Sequence, residues 1–308
     1  MKQEFTFLSS NGLYNIHGVR WIPDGEVRGI VQISHGMCEY IERYDDFAKF
    51  LASYGLLVAG HDHIGHGLSV LKESDLGYFA EKDGAKCAVK DLHTVTEITK
   101  KLYPDVPYVL LGHSMGSFIT SNYIEQYGDE LDAAVLVGTG YNSNLVCAAG
   151  RFVNGIIAGL KGERHRSRLV FKLMFGSYNR KIENNKTSFD WITRDEEILA
   201  KYIADPYCNF TFTVNGNRAL ISFMQYENRH FDGIPKQLPI LLTAGKCDPV
   251  GDYGKGVKKI YALLKKHGVK DVSVKLYDGM RHEIINETGR QQVYEDIYKW
   301  ISKKINNL

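Results

Sequence analysis

The stretch Val109-Leu110-Leu111-Gly112-His113-Ser114-Met115-Gly116-Ser117-Phe118 decides the fold of this 308-residue chain. An apolar run ends at Gly112, a Gly-x-Ser-x-Gly pattern follows, and helical spacing begins directly after it. The pattern alone is cheap in a chain with 30 glycines, so its flanks carry the reading. A strand that feeds a sharp turn and then a helix lifts one hydroxyl above a sheet. Gly112 and Gly116 leave room for close backbone passage, and Ser114 stands at a helix N-terminus, where the dipole favours developing negative charge.

Outward from this turn, strands and helices alternate. Residues 4–9 and 14–21 read as two strands joined by Ser10-Asn11-Gly12, a strong hairpin signal. Residues 29–34 form a short apolar strand that runs into His35-Gly36-Met37. Residues 41–54 have helical spacing, 56–59 read as a buried strand and 85–102 as a helix. The strand 108–111 feeds the turn, its helix covers 115–127, and another buried strand covers 131–137. The alternation resumes with a strand at 239–245, a helix at 254–267, a strand at 273–277 and a final helix at 291–305. Such units predict an α/β fold: a mostly parallel central sheet with helices on both faces. Residues 141–234 interrupt it and read as an inserted helical cap on a core of 1–140 and 235–308.

Composition narrows the classes. With 44% hydrophobic and 24% charged residues, the chain is an ordinary globular protein. A net charge of +2 offers no bulk electrostatic case for nucleic acid. No apolar run is long enough to span a membrane, and the N-terminus lacks the apolar core of a signal peptide. The five cysteines, Cys38, Cys87, Cys147, Cys208 and Cys247, are scattered without CxxC spacing. This fits reduced thiols and a cytoplasmic location. Cys38 and Cys247 are expected to be plain buried thiols.

A serine hydroxyl is a poor nucleophile at neutral pH and needs a base, with an orienter behind that base. In a parallel sheet these belong on loops at the C-terminal ends of strands. Two loops qualify: Gly245-Lys246-Cys247-Asp248-Pro249-Val250, and Tyr277-Asp278-Gly279-Met280-Arg281-His282-Glu283. Ser114, Asp248 and His282 then follow the chain order of the α/β-hydrolases, with Asp252 and Asp278 as alternatives for the acid. The oxyanion donors are expected to be the backbone N–H groups of Met115, next to the nucleophile, and of Met37, on the early loop. This chemistry needs no metal or organic cofactor. His61-x-His63-x-Gly65-His66 comes close to a binuclear metal motif, but Gly65 stands where that motif has aspartate. A structural loop beside the site is the expectation there.

Further motifs extend the pattern: Ser34-His35-Gly36-Met37-Cys38-Glu39-Tyr40-Ile41-Glu42-Arg43-Tyr44, and His61-Asp62-His63-Ile64-Gly65-His66-Gly67-Leu68-Ser69. Asp190-Trp191-Ile192-Thr193-Arg194-Asp195 and Ala204-Asp205-Pro206-Tyr207-Cys208 join them within the interruption. Together with the Ser114 turn and the Asp248 and His282 loops, they make residues 5–304 resemble the monoacylglycerol lipase and lysophospholipase branch of the serine α/β-hydrolases. The resemblance implies the α/β-hydrolase fold, a mobile cap, and hydrolysis of single-chain acyl glycerides, lysophospholipids or simple acyl esters. Met37 departs from the small residue usual there and is expected to narrow the acyl entrance. A thioesterase or general carboxylesterase is the alternative within the fold, and a non-catalytic small-ligand binder the alternative outside catalysis.

Glu39 and Arg43 lie four residues apart just past the early loop. They read either as a local helix-start ion pair or as the polar end of a substrate pocket. In the cap, Phe152, Val153, Ile156, Ile157 and Leu160 fall at helical spacing, and Phe152 and Ile156 are the expected acyl contacts. Arg151, Lys161, Arg164, Arg166, Arg168 and Lys172 flank this stretch against Glu163 alone. Two readings follow: a lid that touches an anionic membrane or micelle surface, or a packed helix with a solvated basic side. The oligomeric state stays open, a homodimer included.

Overall fold

The continuous apolar runs become the inner strands of one eight-stranded sheet. The computed structural model describes residues 1–305; the end of the expected core, 306–308, lies outside the described residues. The strands are β1 (Lys2–Leu8), β2 (Asn15–Trp21), β3 (Gly29–Ser34), β4 (Leu56–His61), β5 (Tyr108–His113), β6 (Ala133–Val137), β7 (Ile240–Gly245) and β8 (Val272–Tyr277). Their order is β1-β2-β4-β3-β5-β6-β7-β8. The β1–β2 hairpin pairs antiparallel and joins β4 antiparallel, while β4, β3, β5, β6, β7 and β8 run parallel.

Both faces of the inner strands are buried, which is why these runs show no polar alternation. Val109 and Leu111 of β5 pack with α1 (Asp45–Ser53) and α9 (Arg290–Ile305). Leu110, between them, packs on the opposite face with α2 (Gly84–Leu102), α3 (Met115–Tyr127) and α8 (Lys255–Lys266). The result is the α/β-hydrolase layering expected from the strand–helix alternation.

Between β6 and β7 lie α4 (Asn144–Lys161), α5 (Arg168–Phe175), α6 (Glu196–Ala204) and α7 (Val214–Glu227). Each starts at a residue whose side-chain oxygen accepts an N–H of the first turn: Ser143, Ser167, Asp195 and Thr213. The α7 helix is buried along most of its length and packs on α2 and α3 as well as on α4. The last helix of the insertion is therefore part of the core layer, and α4 rests on it above the C-terminal ends of the strands.

Candidate active site

Ser114 sits in the turn between β5 and α3 at φ +53° and ψ −119°, a left-handed conformation that side chains rarely adopt. Its N–H donates to Val137 O at 2.9 Å, which ties the turn to the end of β6. A Cβ at Gly112 would collide with Gly116 O and Thr120 Oγ1, and one at Gly116 with the Ser34 carbonyl oxygen. The two glycines are thus required by backbone crossing at the turn.

The loops after β7 and β8 bring two side chains to the serine. His282 Nε2 lies 2.8 Å from Ser114 Oγ, and His282 Nδ1 lies 3.0 Å from Asp248 Oδ2. Asp248 is fully buried, and its Oδ1 accepts the Val250 N–H at 2.9 Å. A carboxylate at Nδ1 makes that nitrogen the donor, which leaves the Nε2 lone pair facing the serine hydroxyl. Of the three acidic residues considered for this place, Asp252 is exposed and Asp278 pairs with Lys246 at the surface.

The early loop passes directly over the serine: a Cβ at Gly36 would lie 3.1 Å from Ser114 Cβ. His35 Nε2 accepts the His63 N–H at 2.9 Å, so its Nδ1 carries the proton and donates to Gly36 O at 2.8 Å. In a trans peptide the carbonyl and the following N–H point oppositely, so this bond turns the Met37 N–H away from the His35 ring. Met37 and Met115 line one cavity with Ser114, and the Met115 N–H, first in α3, has no intrahelical acceptor.

The histidine-rich loop is built around Asp62, which accepts from His17 Nδ1 (3.0 Å), Ile41 N (2.8 Å) and Leu68 N (2.9 Å). The His63 ring packs between those of His35, tilted at 4.3 Å, and His61, edge-on at 4.7 Å. Burial holds His61 and His66 at about 3, and His35 and His63 below the usual imidazole range, so these rings are neutral. Among the described residues no three His, Cys, Asp or Glu side chains stand in metal-ligand geometry.

Glu39 and Arg43 do form an ion pair, at 2.9 Å, but it is not a surface one. Arg43 also grips Glu283 with two bonds of 2.8 and 2.7 Å and stacks on the Tyr202 ring at 4.9 Å. Glu39 accepts from Tyr44 OH and His113 Nδ1, each at 2.9 Å, and from the Gly36 N–H. Burial opposes charge on Glu39 and His113, but each stabilises the other: the carboxyl is held below its usual range and the imidazole above. His113 Nε2 is buried without a partner among the described residues. His113, Glu283 and Tyr202 join Glu39 in lining the cavity, and sequence reasoning missed all three. Two of them carried a signal, adjacency, since His113 precedes the serine and Glu283 follows the histidine; Tyr202 carried none.

The cavity measures about 370 Å³ and is mostly apolar. Its α4 wall is Val146, Cys147, Ala149, Gly150, Val153 and Asn154, one helical face. Phe152 and Ile156, expected to touch the acyl chain, lie on the other face and are 70% and 49% exposed. The helix is apolar on both sides, so periodicity did not reveal which side faces in. Half of the basic cluster is also committed to internal bonds. Arg164 pairs with Asp75 (2.6 Å), Arg166 donates to Leu76 O (2.7 Å), and Arg151 donates to Gln225 (3.0 Å). Cys38 is buried as expected, but Cys247 points outward from its turn and is exposed.

Residues 25–289 match the family described as serine aminopeptidase, S33. The chain is 30% identical to a monoacylglycerol lipase of Mycolicibacterium smegmatis, over 97% of each chain. The chain belongs to this serine α/β-hydrolase family. A thermostable carboxyl esterase from Bacillus coagulans, solved with glycerol, superposes with TM-score 0.92 at 32% identity over 99% of each chain. A lipase in its open form gives TM-score 0.88 at 26% identity over 99% of this chain and 100% of that one. These relatives mark the chain as a carboxylic-ester hydrolase. Among the described residues no helix is long and apolar enough to cross a membrane.

Proposed function

We propose that Ser114, His282 and Asp248 form a catalytic triad that hydrolyses single-chain acyl esters, with monoacylglycerols or lysophospholipids as the preferred class. The observation that carries this is the unbroken chain from Asp248 through His282 to Ser114 beneath an apolar cavity of about 370 Å³. His282 takes the proton as Ser114 attacks the ester carbonyl. The N–H groups of Met37 and Met115 receive the oxyanion, and Asp248 stabilises the imidazolium. His282 then protonates the departing alcohol, and water repeats the sequence on the acyl-enzyme. The substrate class is supported by the monoacylglycerol lipase relative and by a cavity that combines apolar walls with a polar end at Glu39, His113 and Tyr202. A panel of aryl esters, monoacylglycerols of stepped chain length, lysophosphatidylcholine and acyl-CoA, with Ser114→Ala as blank, tests it. Fastest turnover on monoacylglycerol or lysophospholipid supports the reading; activity confined to thioesters overturns it.

The same reading makes α4 and α5 the face that meets the lipid surface. Leu145, Phe152, Leu160 and Leu169 are more than half exposed there, beside exposed Lys161, Arg168 and Lys172. Co-sedimentation with vesicles that rises with anionic lipid content and falls with salt is the expected outcome. Equal binding to neutral and anionic vesicles, or none, counts against it.

A further inference from the structure

His282 lies on an irregular loop after β8, so contacts rather than secondary structure must fix its ring. Asp248 holds one nitrogen, and a single hydrogen bond leaves the imidazole free to tilt about it. The His113 ring lies 4.9 Å from one side of it, and the remaining constraints come from an unexpected source. Residues 190–194, within the insertion, are strapped to both sides of the histidine. The His282 N–H donates to Trp191 O at 3.3 Å and the Glu283 N–H to Ile192 O at 2.8 Å. Arg281 Nη1 reaches the carbonyls of Asp190 and Thr193 at 2.6 and 3.0 Å. Glu287, fully buried, accepts the Arg281 N–H from the histidine loop at 3.0 Å. From the strap it accepts the Arg194 N–H at 2.9 Å and the Thr193 hydroxyl at 3.1 Å. The Trp191 ring lies 5.1 Å from the His282 ring, inclined at 44°. Tyr178 packs edge-on against the indole at 4.9 Å, and the Trp191 backbone N–H donates to Asn179 Oδ1 at 2.9 Å.

We propose that the 190–194 strap is the positioning element of the catalytic histidine, with Trp191 bracing the imidazole and Glu287 tying strap to loop. This rests on the reading of Ser114, His282 and Asp248 as a triad. The insertion then has two parts with different duties. Helices α4 and α5 wall the cavity, whereas the strap stays with the core through catalysis and does not travel with a lid. A base displaced by an ångström loses about two orders of magnitude in rate, so the brace acts on kcat.

The test compares Trp191→Ala and Trp191→Phe on p-nitrophenyl acetate, whose two-carbon acyl group is too short to depend on the acyl channel. Melting temperature checks the fold. The expected result is a kcat about 10- to 100-fold lower for Trp191→Ala with KM within about twofold. Trp191→Phe, which keeps a flat face, should recover kcat to within about fivefold of wild type. Phosphonylation of Ser114 by a small fluorophosphonate should slow in parallel. If Trp191→Ala does not fold, Trp191→Leu replaces it, filling space without a flat face, and the same kcat loss is expected. Retained kcat with a raised KM overturns the proposal, since the indole would then be cavity wall alone. Equal losses in folded Phe and Ala variants also overturn it. Failure of wild-type Ser114 to react with the phosphonate is a different result, which removes the triad itself.

Discussion

Replacing Asp248 with Asn changes one atom and removes one charge from a buried pair. The carboxylate accepts the hydrogen bond from His282 Nδ1–H at 3.0 Å, and both groups are buried. Asn can still accept the Val250 N–H through Oδ1, so the loop has reason to keep its shape. What it then presents to His282 is an amide NH2. The imidazole must accept at Nδ1, the proton moves to Nε2, and the lone pair that faced Ser114 Oγ at 2.8 Å is gone. The charge matters as well. With charge centres about 4 Å apart and an effective dielectric near 20, the carboxylate stabilises the transient imidazolium by about 4 kcal/mol. At 1.36 kcal/mol per tenfold in rate that alone is about 10³, and the wrong tautomer brings the expected loss of kcat to about 10⁴. Asp248 does not line the cavity, so KM should stay within about twofold. Initial rates on an aryl ester, with the melting temperature as fold control, check this. A kcat loss under tenfold, or a KM effect with kcat retained, would refute the role given to Asp248.

Three further outcomes follow from buried charge. Arg43→Ala leaves Glu39 and Glu283 buried without their shared cation, so urea unfolding should show a loss of about 3–5 kcal/mol, with activity falling through instability. Burial pushes the Glu227 carboxyl from 4.5 up to about 8, so its contribution to stability is complete below pH 4.5 and lost as pH rises through 8. Glu227→Gln keeps the 2.8 Å bond from Ser121 and should stabilise by up to about 4 kcal/mol at pH 7.5, but not at pH 4.5. His61 carries the opposite sign, because its folded value near 3 lies below 6.5 and its contribution is lost as pH falls. At pH 5 that loss is about 2 kcal/mol, and unfolding midpoints at pH 7.5 and 5 should converge in His61→Phe relative to wild type. His17 and His113, raised by Asp62 and Glu39, titrate the other way but are common to both proteins.

What was legible in the sequence was local. The Ser114 turn, its glycines and the apolar runs of β3 to β7 are constrained by neighbours a few residues away. What was not legible depended on distance or on helix phase. Glu283 meets Arg43 across 240 positions, and Glu287 gathers donors from the 190–194 strap across more than ninety. Neither partner leaves a mark on the other's local pattern. Helix α4 misled for a different reason. Amphipathic reasoning assumes that the outer face is polar, and here Leu145, Phe152 and Leu160 stand 81%, 70% and 79% exposed. The basic residues of that region were legible in number but not in use, since Arg164 and Arg166 serve to pin the insertion to the loop around Asp75 and Leu76.

Every step proposed for this site starts from Ser114 as the nucleophile. Treatment with a fluorophosphonate, followed by proteolysis and mass analysis, tests it most directly. One adduct is expected, on the peptide that contains Gly112-His113-Ser114-Met115-Gly116, with hydrolysis lost in step and no labelling of Ser114→Ala. An adduct on another residue, or Ser114→Ala hydrolysing esters at the wild-type rate, would contradict it.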